Sequence, residues 1–196
     1  MDVFIKLIAE EKKAKVFIAA YGLLSSIAGQ YKEIAIPVTT ENKNTYKKVV
    51  LVKEGSAADV NALQGKNIGS TSVGNESIKF LNDFVFSTAN YDANSSKFIW
   101  VKKDFDAVLA AKIGQLAAAV VSEKNLSKIE AINPAALKGM TQLLTSKEIN
   151  ESPLCVAPDV AQGDIDTLVK AFTEMDKSAE GQEFLKLLGY SKWVAK

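Results

Sequence analysis

Gly65-Lys66-Asn67-Ile68-Gly69-Ser70-Thr71-Ser72, continued by Val73-Gly74-Asn75-Glu76, is the stretch on which the fold turns. Its first eight residues read as a strand running into a small polar turn. Gly74-Asn75-Glu76 then opens a helix that carries Ile78, Leu81, Phe84 and Val85 on one face. Downstream, 97–101 reads as a strand, and 104–115 as a helix bearing Phe105, Val108, Leu109 and Ile113. Residues 116–121 read as another buried strand. Strand, helix, strand, helix, strand in so short a span predicts βαβ units on a mostly parallel sheet.

Upstream, residues 2–14 carry an apolar stripe of Phe4, Leu7 and Ile8 and predict a helix. Residues 15–20 form an apolar run fit for a strand covered on both faces, and Tyr21 to Ser26 turns into a short helix ending near Gly29. Further strands are expected over 33–38, with Pro37 near an edge or strand end, and over 46–53. Gly55-Ser56 breaks the pattern ahead of a short helix at 58–63. Residues 140–149 fit strand or helix equally, and 154–157 restart the chain as a strand after Ser152-Pro153. Two helical stripes close the sequence, Ile165-Leu168-Val169-Phe172 and Phe184-Leu187-Leu188, with Gly189 as a C-cap.

Composition narrows the chemistry. The 196 residues are 47% hydrophobic and 24% charged, the profile of an ordinary globular protein. All 24 basic residues are Lys and His is absent, which excludes His metal sites, Ser-His-Asp and Cys-His catalysis, and bidentate Arg clamps on anions. A net charge of +1 gives no electrostatic footprint for nucleic acid. No apolar run approaches the ~20 residues of a membrane span, so no membrane insertion is expected. No export signal is legible at Met1-Asp2, so a periplasmic or cell-surface location requires a leader that was removed. Cys155 sits in an apolar run and reads as a buried structural thiol. No P-loop, dinucleotide fingerprint or clustered Asp/Asn loop is present, so no cofactor, metal or catalytic residue is expected.

Three segments together resemble the periplasmic phosphate/phosphonate solute-binding proteins of ABC transporters, within the type-II periplasmic-binding-protein fold. They are Val16-Phe17-Ile18-Ala19-Ala20-Tyr21, the strand entry Leu63-Gln64-Gly65-Lys66 with its Ser70-Thr71-Ser72-Val73-Gly74 ending, and the closing Glu180-Gly181 to Leu187-Leu188-Gly189-Tyr190. The resemblance implies an α/β fold of two lobes, each a mostly parallel sheet flanked by helices. One lobe is expected to combine 1–54 and 152–196, without the family's usual opening strand, and the other to span 55–151. It also implies a non-enzymatic protein that closes on a small phosphate- or phosphonate-like anion and hands it to an ABC permease.

Without Arg, an oxyanion must be held by hydroxyls, backbone amides and lysine side chains alone. The candidate ligand-binding residues are Tyr21, Tyr46, Ser70, Thr71, Ser72, Gly74 and Asn75. A helix start at 74–75 points N–H donors and about half a positive charge at whatever sits there. The same Ser/Thr/Gly pattern is also ordinary capping chemistry, and tyrosines pack in cores with satisfied hydroxyls. The lysine pairs at 12–13, 47–48 and 102–103 read as solvated faces, and Asp104 with Asp106 as a helix start. The competing reading is a reduced interaction or sensor module with a protein partner, able to self-associate through an unpaired sheet edge. An enzyme on the same fold is the third and weakest reading.

Overall fold

Residues 48–52 form an uninterrupted buried run, the pattern of a strand flanked on both sides by other strands and covered on both faces. The computed structural model describes residues 6–24 and 27–196 and divides the chain into two compact units. Its strands are β1 (Val16–Ile18), β2 (Lys32–Thr39), β3 (Thr45–Tyr46), β4 (Lys48–Lys53), β5 (Asn67–Thr71), β6 (Lys97–Val101), β7 (Ala118–Ser122), β8 (Met140–Thr145), β9 (Ile149–Asn150), β10 (Leu154–Val156) and β11 (Tyr190–Ala195). The helices are α1 (Tyr21–Leu24), α2 (Ser77–Phe80), α3 (Asp104–Lys112), α4 (Glu123–Ile132), α5 (Pro134–Leu137), α6 (Gln162–Thr173) and α7 (Ala179–Leu188).

The second unit, residues 46–73 and 77–149, holds a five-stranded sheet in the order β6-β5-β7-β4-β8. β5 lies parallel to β6 and β7, as the βαβ reading requires, while β4 runs antiparallel to β7 and β8. One face packs Val49, Leu51, Ala119 and Val121 against Ala107, Val108 and Ala111 of α3 and Ile129 of α4. Burial of each valine, leucine and isoleucine among these contributes about 1.5–3 kcal/mol. Gly69 in β5 permits this approach, because a Cβ there would meet Leu116 Cδ1 at 2.5 Å and Ala107 Cβ at 3.1 Å. Residues 46–53 were assigned above to the first lobe, but β4 pairs with β7 and β8 inside the second unit. The physical reason is that Gly55, at φ +74°, makes a turn within the unit, whereas the boundary in sequence falls between Thr45 and Tyr46.

The first unit, residues 1–45, 74–76 and 150–196, carries the sheet β1-β10-β2-β11. Every described pair in it is antiparallel, which corrects the expectation of a mostly parallel sheet in each lobe. β1 and β2 do run the same way, as a strand-helix-strand crossover demands, but the returning β10 lies between them. One face buries Ile34, Ala35, Leu154, Val156 and Trp193 under Ile165 of α6 and Leu185 of α7. Phe172 and Tyr190 meet the Trp193 ring edge-on at 5.1 and 5.8 Å. The other face gathers Ile8, Phe17, Ala19, Leu24, Ile27 and the fully buried Cys155.

The helix expected over 2–14 is reduced, among the described residues, to one π-helical turn at Lys6–Glu10, ended by Lys12 at φ +50°. Phe4 of its stripe, and Ser25-Ser26 of the turn after Tyr21, lie outside the described residues. The 140–149 ambiguity resolves as strand, in β8 and β9.

Candidate functional site

Five chain ends converge at one end of the second unit's sheet. β5 ends there at Thr71 and β7 at Ser122, while β4, running the other way, begins at Lys48. α3 starts at Asp104 and α4 directly after Ser122. This is the carboxyl edge of the parallel strands, where open α/β sheets place their ligands.

Asp104 ties these ends together. Its Oδ2 accepts 2.8 Å hydrogen bonds from the Ser122 backbone amide and from Asn125 Nδ2, and its Oδ1 accepts from Thr71 Oγ1 at 3.3 Å. The carboxylate also suits the positive end of the α3 dipole. Thr71 Oγ1 in turn accepts from Lys48 Nζ at 3.4 Å, and the Lys48 backbone amide donates to Ser146 Oγ at 2.9 Å. Lys48 is 4% exposed. Burial lowers its pKa below the usual lysine range, against the pull of the Asp104 carboxylate and with a push from the Lys124 cation. Ser122 is 5% exposed, and its buried hydroxyl has no hydrogen-bond partner among the described residues. Lys48 and Ser122 are direct partners in the β4–β7 ladder, so their side chains leave the same face of the sheet. At the start of α4, Lys124 Nζ lies 4.9 Å from the centre of the Tyr46 ring, a cation–π distance.

The expected ligand residues are distributed as follows. Thr71 belongs to the Asp104 cluster. Ser70 is fully buried in β5 and donates to the Thr71 carbonyl at 3.2 Å. Ser72 is exposed, with its Oγ 3.0 Å from that of Ser77, and Ser77 Oγ also accepts from the Val73 amide at 2.8 Å. Gly74 takes φ +93°, and Asn75 is exposed in the turn that follows. Tyr46 stands beside Lys124, whereas Tyr21 opens α1 in the first unit and packs on the cluster around Phe17 and Leu24.

Sequence reasoning missed Lys48, Ser122 and Asn125, and it read Asp104 only as a helix start. Lys48 is not on a solvated face, which corrects the reading of the 47–48 pair. The available signal was its position at the head of Val49-Val50-Leu51-Val52, because the first residue of a doubly covered strand inherits the cover. Among the described residues, no group of three or more His, Cys, Asp or Glu is placed to hold a metal ion, and no helix is long and apolar enough to cross a membrane. The Thr71 and Ser146 hydroxyls already donate to Asp104 and to the Lys147 carbonyl, and the Ser122 and Glu123 amides to Asp104 and to the Lys47 carbonyl, so what the cluster offers is the Lys48 ammonium and the Ser122 hydroxyl.

Solved structures share this fold at low identity. A binding protein component of an ABC phosphonate transporter from Pseudomonas aeruginosa superposes with a TM-score of 0.69 at 14% identity, covering 95% of this chain and 65% of that one. PhnD1 from Prochlorococcus marinus, in complex with methylphosphonate, gives 0.70 at 14% identity, covering 99% and 76%. An ATP-bound protein from Xanthomonas citri gives 0.80 at 8% identity, covering 97% and 74%. The chain thus spans about two thirds to three quarters of their lengths. No curated relative matches it by sequence. A family profile described as "ABC transporter, phosphonate, periplasmic substrate-binding protein" matches residues 17–196, nearly the whole chain. On that match, the chain belongs to the family of periplasmic substrate-binding proteins of phosphonate ABC transporters.

Proposed function

We propose that this chain is a non-enzymatic solute-binding protein that captures a small oxyanion of the phosphonate or phosphate class and presents it to an ABC permease in the periplasm. The observation that carries the reading is the family match over residues 17–196. Supporting it are the methylphosphonate in the PhnD1 complex and the donor cluster at the carboxyl edge of β5 and β7. Thr71, Ser72 and Tyr46, all in the second unit, are the proposed contacts, and Ser70 serves the same turn from inside the sheet.

The test is isothermal titration calorimetry with methylphosphonate, phosphate, phosphite, an alkylsulfonate and ATP. Saturable binding of methylphosphonate or phosphate that weakens at least about tenfold in Ser72→Ala or Thr71→Val is the expected result. No heat from any of the five ligands overturns the reading.

A second reading, association through a sheet edge, is favoured by β1. It is an edge strand whose Val16 and Ile18 are 43% and 41% exposed. Light scattering across a concentration series tests it, and a strict monomer at every concentration sets it aside.

A further inference from the structure

We infer that Lys48 is the specificity-determining donor of this site, supplying the one desolvated positive charge an oxyanion meets there, with the Ser122 hydroxyl as its co-donor. The inference rests on the oxyanion-binding reading above and names the residues that enforce it.

Charge is the first argument. With no Arg and no His in the chain, a full positive charge in the site belongs to a lysine. Lys48 is the one lysine buried among the described residues, and desolvated charges discriminate far more strongly than solvated ones.

Unfilled hydrogen bonding is the second. An ammonium has three protons to donate, and among the described residues Lys48 Nζ has one acceptor, Thr71 Oγ1, at the long distance of 3.4 Å. The neighbouring carboxylate does not complete the shell: among the described residues the Asp104 oxygens accept from the Ser122 amide, Asn125 Nδ2 and Thr71 Oγ1, and not from Lys48 Nζ. Beside Lys48 on the same sheet face, the buried Ser122 hydroxyl has no hydrogen-bond partner among the described residues. Ser122 is also the N-cap residue of the ten-residue α4, yet its side chain makes no capping bond. Two buried, underused donors thus share one sheet face, one of them at the start of a helix, and an ionised oxygen would satisfy both.

The charged groups facing Lys48 are Asp104, from the start of α3, and Lys124, from the start of α4. An ionised phosphonate oxygen completes the Lys48 shell with a charge-assisted bond, whereas the phosphoryl oxygen of a neutral phosphonate diester brings no charge to it. Because burial holds the Lys48 pKa down, an arriving anion raises it again and draws in a proton where the amine was neutral.

The experiment is titration of the wild-type protein, Lys48→Met and Ser122→Ala with methylphosphonate and with dimethyl methylphosphonate. It is run in two buffers of different ionisation enthalpy at mildly alkaline pH, with a thermal melt of each protein. Wild type is expected to bind methylphosphonate with net proton uptake and to ignore the diester. K48M is expected to lose at least about tenfold in affinity, and the proton uptake with it, while melting no lower than wild type. A structural lysine would show the reverse, a lower melt with affinity intact. S122A is expected to weaken binding about threefold or more, and it carries the test if K48M does not fold. Wild-type binding that survives unchanged in K48M, or in S122A when K48M is unfolded, overturns the role of Lys48 and leaves the oxyanion reading standing. Failure of wild type to bind overturns both.

Discussion

The carboxylate of Asp104 accepts a 2.8 Å hydrogen bond from the backbone amide of Ser122, so the first turn of α3 and the last residue of β7 are held by a single side chain. Eighteen positions separate the two residues in sequence, and Asn125 Nδ2 adds a second bond of equal length to the same oxygen. The contact fixes where β7 stops and α4 begins.

Removal of that carboxylate is expected to be costly. Asp104→Ala leaves the buried Ser122 amide and the Asn125 side chain without their acceptor, for a loss of about 3 kcal/mol in unfolding free energy. Asp104→Asn retains an acceptor oxygen and is expected to lose less. Urea denaturation measures both, and a loss below about 1 kcal/mol in the alanine variant contradicts the clamp.

Gly69 makes a packing prediction. Gly69→Ala drives its new methyl into Leu116 and Ala107, so overpacking is expected to lower stability by about 1–3 kcal/mol. Gly69→Ala combined with Leu116→Ala recovers part of that loss if the clash is the cause, which a double-mutant cycle reads directly.

Alkaline pH probes the first unit. Burial, reinforced by Glu33 and eased by Lys196, pushes the Cys155 thiol up to about 12, and burial with Glu151 pushes Tyr190 up to about 12 as well. Both folded values lie above the ordinary ranges of their side chains. Their stabilising contribution is therefore complete below those ranges and is lost as pH rises toward about 12. Unfolding free energy is expected to fall as pH climbs above about 9, with a shallower slope in Cys155→Ala. A thiol reagent is expected to leave native Cys155 unmodified at pH 8 and to label it on unfolding. Rapid labelling of the folded protein contradicts its burial.

Ser178 tests a cap remote from the donor cluster. Its Oγ accepts from the Gly181 amide at 3.0 Å at the start of α7. Ser178→Ala is expected to cost about 1 kcal/mol in thermal or urea unfolding and to leave ligand affinity unchanged.

Elements defined by local pattern were legible in the sequence. β6 appears at the expected 97–101 because a short apolar run between polar turns has one good conformation. α4 was missed because Glu123-Lys124-Asn125 follows β7 with no Gly or Pro between them, so nothing local marks the switch. β11 was missed because Ser191 and Lys192 interrupt its apolar residues, and only pairing with β2 makes it a strand. Thr71 was found from its turn, but Lys48 was not, since a lysine beside another lysine resembles any solvated pair until the neighbouring strands are known. Local chemistry writes the donors into the sequence, whereas desolvation is a property of the assembled sheet.

The antiparallel seat of β10 between β1 and β2 also sets an order of events during synthesis. Strands β1 and β2 leave the ribosome early, yet the partner that joins them emerges only after residue 154, more than a hundred positions later. In that interval 46–149 is already complete and free to condense, while the earlier strands wait with open edges. The nascent chain is thus most exposed to mispairing at β1 and β2, and slowing translation lengthens that exposure.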